Sequence, residues 1–430
     1  MVAKVYLWNR IVGYVLWEET KSLAAFEFDP EFVKNDLDIS PLIMPIDDLR
    51  NGQRIFSFPE LERKTFLGLP GLLVDSLPDR FGNKMLSAWL ANYGRSLTSV
   101  NPVERLCYTG DRAMGALEFE PVLYPEKKFQ KPVEMEDMVQ LVSNILAERS
   151  TLESNIHAGG KHAITSIIRL GTSAGGARPK AVITYNEKTG EIRSGHIQAL
   201  KDFSHWIIKL DGVKDNEPGE TKGYGRIEFA YYSMARDCGI NIETCKLLEE
   251  NGRAHFMAKR FDRESNEKIH MQSLCAIAHY DYNNPDAYSY EQAFKVMRKM
   301  LLPYPEAEQL YIRMVFNVIA NNNDDHTKNI SFLMDKNGIW KLSPAYDLVF
   351  AFDPENFWLR RHQMSVNGKR TEISREDLIQ VAKEMNIKNA SDLIDKVVSV
   401  VSDWQKYAKK SGVKKELMNS IEKSFSLNLY

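Results

Sequence analysis

The sequence predicts an α+β protein in which a β-rich half precedes an α-rich half. Runs rich in Val, Ile, Tyr, Phe and Trp, separated by short turn signals, occupy much of the chain before about residue 270. From there onward apolar residues recur with helical spacing. At 430 residues the chain also exceeds one ordinary domain, so two or three folding units are expected.

The elements follow in order. "KVYLW" and "IVGYVLW", with Asn9-Arg10 between them, read as a hairpin, and "LAAFEFDPEF" as a third strand. "GLPGLLVDSLPDRFGNKMLSAWLANYG" has Pro and Gly punctuation, then a helical stretch closing at Gly94. "RLCYTGDRAMGALEFEPVL" returns to strand-like alternation. The charged stretch 124–137, with two prolines, is a candidate domain boundary. "RLGTSAGGARPKAVITYNEKTGEIRSGHI" reads as strand, glycine-rich loop, strand, turn, strand, and "SHWIIKLDGV" as a further strand carrying one lysine. "RIEFAYYSMARDCGI" is a helix with Gly239 at its end. "HFMAKRFDR" is a short strand, and 329–347 a hairpin-like insertion among helices. Ser374 with Asp377 makes a capping box, and a long amphipathic helix is expected over about 391–410.

Composition narrows the function classes. The chain is 43% apolar and 27% charged, as soluble globular proteins are. A net charge of −2 supplies no global field for nucleic acid, and the aromatic residues form no base-stacking array. No apolar run approaches the roughly eighteen residues that span a bilayer. The N-terminus is interrupted by Asn9, Arg10 and Gly13, unlike a signal peptide. Cys107, Cys238, Cys245 and Cys275 form no CxxC pair, which fits buried free thiols in a reducing cytoplasm.

The densest polar stretch is "NNNDDHTKNISF", 321–332, directly after the apolar helical run "LYIRMVFNVIA". Asp324 and Asn329 are five apart, and Asp347 follows in "SPAYDLVF". A carboxylate, an amide and a second carboxylate in this order suit phosphoryl transfer. One carboxylate orients and accepts the proton of an attacking hydroxyl, while hard oxygen ligands hold Mg²⁺ between phosphates. The pattern Asp-x-His-x-x-Asn is the catalytic-loop spacing of phosphoinositide-type kinases, and Asp with Asn at +5 also occurs in protein kinases. Two other readings stand beside it. Asp and Asn cluster in turns because they bond their own backbone. A metal-hydrolase site with Asp325 and His326 as ligands would lack a second histidine at helical spacing.

The remaining parts of a kinase occur in the right order. Lys209, alone among apolar strand residues in "WIIKL", is either an edge-strand lysine facing solvent or the lysine that pairs the ATP α/β-phosphates. Glu228 on the next helix could orient it by an ion pair. In "GTSAGGARPK", 171–180, small residues let backbone N–H groups approach phosphates. Gly176 is followed by Ala177, so the loop is not a Walker A. "MAKRFDR" looks like a linker between lobes.

Taken together the chain resembles the HipA family, the serine/threonine kinase toxins of bacterial toxin–antitoxin pairs, over nearly its whole length. "GLPGLLVDSLPDRFGNKML" and "RLCYTGDRAMGALEF" resemble the family's N-terminal segment. "GTSAGGARPKAVI", "HWIIKL", "MAKRFDR", "NNNDDHTKNISF" and "LSPAYDLVF" resemble its kinase segment. The resemblance implies a β-rich N-terminal domain over 1–130, a mixed-β kinase N-lobe with the phosphate loop over 131–268, and an all-α C-lobe over 269–430. It implies Asp324 as catalytic base, and Asn329 and Asp347 as Mg²⁺ ligands. Around ATP it places Lys209, Glu228, Gly175, Gly176, Ala177, Lys180, His326 and Lys328, with backbone contacts to adenine from Lys259 and Phe261. Ser173 would be the autophosphorylation site. The loop departs from other members in its extra glycine and in Arg178-Pro179, and "AYDL" replaces the DFG of ordinary protein kinases.

The function so implied is an ATP- and Mg²⁺-dependent cytoplasmic kinase. It would phosphorylate a translation protein, an aminoacyl-tRNA synthetase being the expected one, and would inactivate itself through Ser173. The implied partner is a helix-turn-helix antitoxin (HipB-like), with DNA reached only through it and no membrane involved. The alternatives are a non-catalytic co-repressor that keeps the kinase fold as a scaffold, and a small-molecule kinase. A lipid kinase is disfavoured by the lack of a basic membrane-facing patch.

Overall fold

The computed structural model describes residues 1–91, 93–123, 132–147, 178–195, 198–213 and 223–429. The N-terminal unit is built on an antiparallel sheet in the order Ile55–Phe56, Leu23–Phe28, Arg10–Glu18, Val2–Leu7, Leu117–Glu120. The expected hairpin forms, but its turn is Trp8-Asn9, one residue early. Both residues sit at positive φ, 51° and 63°, the backbone that a two-residue hairpin turn requires. Strand alternation buries Ala3, Val5, Leu7, Val15, Phe26 and Phe28 in one cluster with Leu72, Leu73, Val103 and Leu106.

One expectation fails in this unit. "RLCYT" is not a strand but lies in the helix Pro102–Thr109. The Asn101 side chain accepts the Glu104 N–H at 2.9 Å, and Pro102 pre-sets the first helical φ. That start signal outweighs the short apolar alternation after it. Helices therefore share this unit with the strands, which makes it less purely β than the sequence suggests.

The second sheet is antiparallel, in the order Ile192–Ser194, Lys180–Asn186, Phe203–Lys209, Arg253–Lys259, Cys245–Glu250. Ala181, Ile183, Trp206, Ile208 and Met257 pack with Met138, Val139 and Val142, and with Phe81 and Met85 from the helix Arg80–Ala91 of the N-terminal unit. The helix Tyr224–Cys238 lies very close to this sheet. A Cβ on Gly225 would come 2.1 Å from the Ala254 carbonyl oxygen, so only glycine permits the approach that carries Glu228 inward.

The C-terminal part is chiefly helical around Tyr231, Phe316 and Trp404. It is not helix alone. His270–Ser273, Ser331–Met334 and Trp340–Leu342 form a three-stranded sheet, whose hairpin is the predicted 329–347 insertion. Its first strand is four residues long, too short to show a period. The expected long helix over 391–410 is two, Ala390–Ser402 and Trp404–Lys410, meeting at Asp403. Trp404 at the junction is fully buried, 5.7 Å from the Tyr231 ring. The capping box of Ser374 and Asp377 is present. Among the described residues no helix is long and apolar enough to cross a membrane.

The N-terminal unit is bonded firmly to the rest. Asp262, fully buried, accepts two hydrogen bonds from Arg260 at 2.8 and 2.7 Å, one from Arg263 at 2.9 Å, and one from the Gly115 N–H at 2.7 Å. Burial alone would raise its pKa, but the two guanidinium groups hold it well below the usual carboxylate range. Arg263 also donates to the carbonyls of Gly115 and Ala113. The Gly71 N–H donates to His279 Nε2 at 3.0 Å.

Candidate active site

Two lysines begin the site. Lys180 opens the strand Lys180–Asn186, Lys209 closes the strand Phe203–Lys209, and the two are direct register partners. Residues opposite one another project from the same face of a sheet, and like charges so placed repel. Carboxylates offset the repulsion. Lys209 Nζ donates to Glu228 Oε1 at 2.5 Å and also to Asp347. Lys180 Nζ lies 3.0 Å from Asp79 Oδ2, in the N-terminal unit. Arg178 approaches the second Glu228 oxygen at 3.6 Å while its guanidinium covers the Tyr224 ring.

The amide-rich loop follows the helix Tyr304–Ile319, and its side chains explain its composition. Asn322 donates to Asn317 at 3.0 Å, and Asn323 to the Leu359 carbonyl at 2.9 Å. Asp325 is buried and accepts from Tyr290 Oη at 2.9 Å and from the Gln363 N–H at 2.7 Å, with His362 Nδ1 at 2.9 Å. Asn329 Nδ2 donates across the loop to the Asp324 carbonyl at 2.8 Å. Tyr346, next to Asp347, donates to the Lys328 carbonyl at 2.7 Å. These bonds staple the loop and leave Asp324 turned outward, its side chain 49% exposed and 3.9 Å from His326 Nε2. Asp325 is thus spent on holding the loop, which removes the basis for a metal-hydrolase pair with His326.

The charges tune one another. Burial works against the Lys209 ammonium, yet Asp347 and Glu228 more than offset it and raise its pKa. Burial would raise Asp347, but Lys209 and then Lys180 hold it below the ordinary range. For Lys180 burial wins, despite Asp79, and its pKa is lowered. Lys328 is opposed by burial and supported chiefly by Asp75, with a net upward shift. Asp347 itself sits at φ 54°, a left-handed conformation that Asp tolerates.

Among the described residues no three His, Cys, Asp or Glu converge as a metal cage. Asn329 and Asp347 nevertheless line one small cavity with His326, Asn322 and Tyr346. The Asn329 nitrogen is committed to the loop, which leaves its Oδ1 and the Asp347 carboxylate as hard oxygen donors. That set fits Mg²⁺, which keeps several waters and takes one or two protein oxygens plus phosphates.

The structure therefore brings Lys180, Lys209, Glu228 and Asp347 together, and places Asp324, His326, Lys328 and Asn329 on one stapled loop. Lys259 differs from its expected use. Its backbone N–H donates to the Thr244 carbonyl at 2.9 Å, so that donor is closed to a base. Phe261 packs its ring 5.7 Å from Tyr346. Ser173, Gly175, Gly176 and Ala177 lie outside the described residues. Asp75 and Asp79 join the site as carboxylates not expected from the sequence, where "VDSLPDR" offers only two carboxylates around a proline in an apolar setting.

Comparison with known proteins supplies the family. The HipA N-terminal domain matches residues 3–120, and the HipA-like C-terminal domain matches residues 172–405. The serine/threonine-protein kinase toxin HipA of Shewanella oneidensis is 21% identical over 385 residues, covering 83% of this chain and 77% of that protein. The solved complex of HipA, HipB and operator DNA from the same organism holds a chain of the same fold. It has a TM-score of 0.65 at 19% identity, and covers 98% of this chain and 94% of that one.

Proposed function

The chain belongs to the HipA family and is a protein serine/threonine kinase, and from that premise we propose that it transfers the γ-phosphoryl of Mg²⁺-bound ATP to a serine or threonine of a translation protein, an aminoacyl-tRNA synthetase by family likeness. The observation that carries this reading is Lys209 held between Glu228 and Asp347, beside a stapled loop that turns Asp324 outward. Asp324 accepts the proton of the attacking hydroxyl. Lys209 and Lys180 hold phosphate oxygens. Asn329 Oδ1 and Asp347 hold the metal, which supplies charge compensation for the phosphates when bound. Adenine lies along 259–261, with the Lys259 carbonyl in place of its spent donor.

The same reading divides the chain into 1–130, 131–268 and 269–430. It places the protein in the cytoplasm beside a helix-turn-helix antitoxin of the HipB kind, DNA being reached through that partner. The Shewanella complex, which pairs HipA with HipB on DNA, supports this.

Self-inactivation through Ser173 completes the proposal. A phosphate there carries about −1.5 to −2 charge at neutral pH and repels the ATP phosphates that the same loop must cradle. The test is intact mass and peptide mapping after incubation with Mg-ATP. One added phosphate on Ser173 is expected, with Ser173→Ala resisting it and Ser173→Asp binding ATP poorly. No mass gain at all favours the co-repressor scaffold instead. A phosphate elsewhere, with normal ATP binding by Ser173→Asp, removes the switch and leaves the kinase.

A further inference from the structure

The carboxylate that meets Lys180 comes from outside the kinase lobes. Asp79 immediately precedes the helix Arg80–Ala91, and it divides its two oxygens. Oδ1 accepts the Gly82 N–H at 2.6 Å and so caps that helix. Oδ2 stands 3.0 Å from Lys180 Nζ, with both side chains almost wholly buried at 6% and 5% exposure. The helix is fixed against the kinase sheet because Phe81 and Met85 sit in the core that also contains Ala181 and Ile183. Four residues earlier Asp75 accepts from the Ser273 N–H at 2.6 Å and its Oγ at 2.9 Å, and is the strongest attraction on Lys328. One short segment of the N-terminal domain thus reaches two of the lysines assigned to the nucleotide site.

We propose that Asp79 is a positioning residue of this kinase: it does for Lys180 what Glu228 does for Lys209, so the N-terminal domain completes the phosphate-binding site. Two lysines opposed in register repel one another, and a separate carboxylate for each offsets that repulsion and sets its direction. Glu228 anchors the first through the helix Tyr224–Cys238. Asp79 anchors the second through a helix of the other domain. Asp79 touches neither nucleotide nor metal; it sets where Lys180 points. The inference rests on the reading that Lys180 contacts ATP phosphates.

Asp79→Asn tests it on the full chain, because Asn retains the capping oxygen and removes the charge. The dissociation constant for Mg-ATP is expected to rise about tenfold or more, as loss of an orienting partner does, while that for adenosine stays within about twofold. Lys180→Met should weaken Mg-ATP binding similarly, and adding Asp79→Asn to it should cost nothing further. Should Asp79→Asn fold poorly, Asp79→Ser keeps a good cap without charge and takes its place. Equal losses for ATP and adenosine, or additive losses in the double variant, overturn the proposal. If Lys180→Met weakens ATP binding and Asp79→Asn does not, the proposal alone falls. If Lys180→Met binds ATP normally, the phosphate role of Lys180 falls and takes the proposal with it.

Discussion

Asp324→Asn is expected to lower phosphoryl transfer by about 10²–10⁴-fold, the usual contribution of a positioned general base, while Mg-ATP affinity and the thermal midpoint stay near wild type. The separation follows from how the loop is held. Asn322, Asn323, Asp325 and Asn329 carry the hydrogen bonds that shape it, and Asp324 contributes to the staples only its backbone carbonyl. Replacing the Asp324 carboxylate by an amide leaves all of those bonds in place. It removes the proton acceptor and nothing that binds the nucleotide. Single-turnover transfer to a serine acceptor, alongside calorimetry with Mg-ATP, measures both halves. Wild-type turnover in this variant would show that another group takes the proton.

Lys209→Met should abolish detectable activity and also destabilise the protein, in a pH-dependent way. Removing one partner of a buried ion pair typically costs about 3–5 kcal/mol, because the other charge is stranded. Here two carboxylates lose their nearest cation, leaving Glu228 with Arg178 at 3.6 Å and Asp347 with the charge of Lys180. Glu228 is 3% exposed and takes the larger penalty, whereas Asp347, at 26%, is partly relieved by water. The sign with pH is distinctive. In wild type the depressed Asp347 pKa contributes stability above the ordinary carboxylate range, which is lost as pH falls through it. Without Lys209 the upward push of burial on Asp347 is opposed chiefly by Lys180 alone, and protonation of that carboxylate relieves part of the cost. The stability deficit of the variant should therefore shrink between pH 8 and pH 5. Denaturant midpoints at both pH values decide it, and a deficit that stays constant or widens contradicts a buried two-carboxylate clamp.

The residues differ in how far the sequence reveals them. Lys209 is legible because a single charge inside "WIIKL" conflicts with its apolar neighbours, and such conflicts concentrate at functional sites. Asp324, Asn329 and Asp347 are legible as an ordered set of spacings. Asp79 is not, since its partner is joined to it only by the packing of Phe81 and Met85 across two domains. Asp325 shows the opposite difficulty. It stands beside Asp324 in sequence, and only the positions of Tyr290, His362 and Gln363 assign it to scaffolding. In the fold, the hairpin at the N-terminus and the helix ending at Gly239 are read correctly from local chemistry. The helix Pro102–Thr109 is hard to read because a short apolar alternation competes with the Asn-Pro start before it, and the start signal prevails. The break at Asp403 has no Pro or Gly to announce it, and is visible only where Trp404 enters the core.

The contact between Lys209 and Asp347 lets the two charges neutralise one another. The lysine that is to meet phosphate and the aspartate that is to meet metal each satisfy the other. A lone Mg²⁺ ion would have to draw Asp347 away from Lys209 and leave that lysine to Glu228 alone, and phosphate arriving alone would leave Asp347 with only the charge of Lys180. When both arrive together the two exchanges cancel, charge for charge. Such a pair is expected to respond to the metal–nucleotide complex more than to either component, so titration with Mg²⁺ alone should give almost no heat.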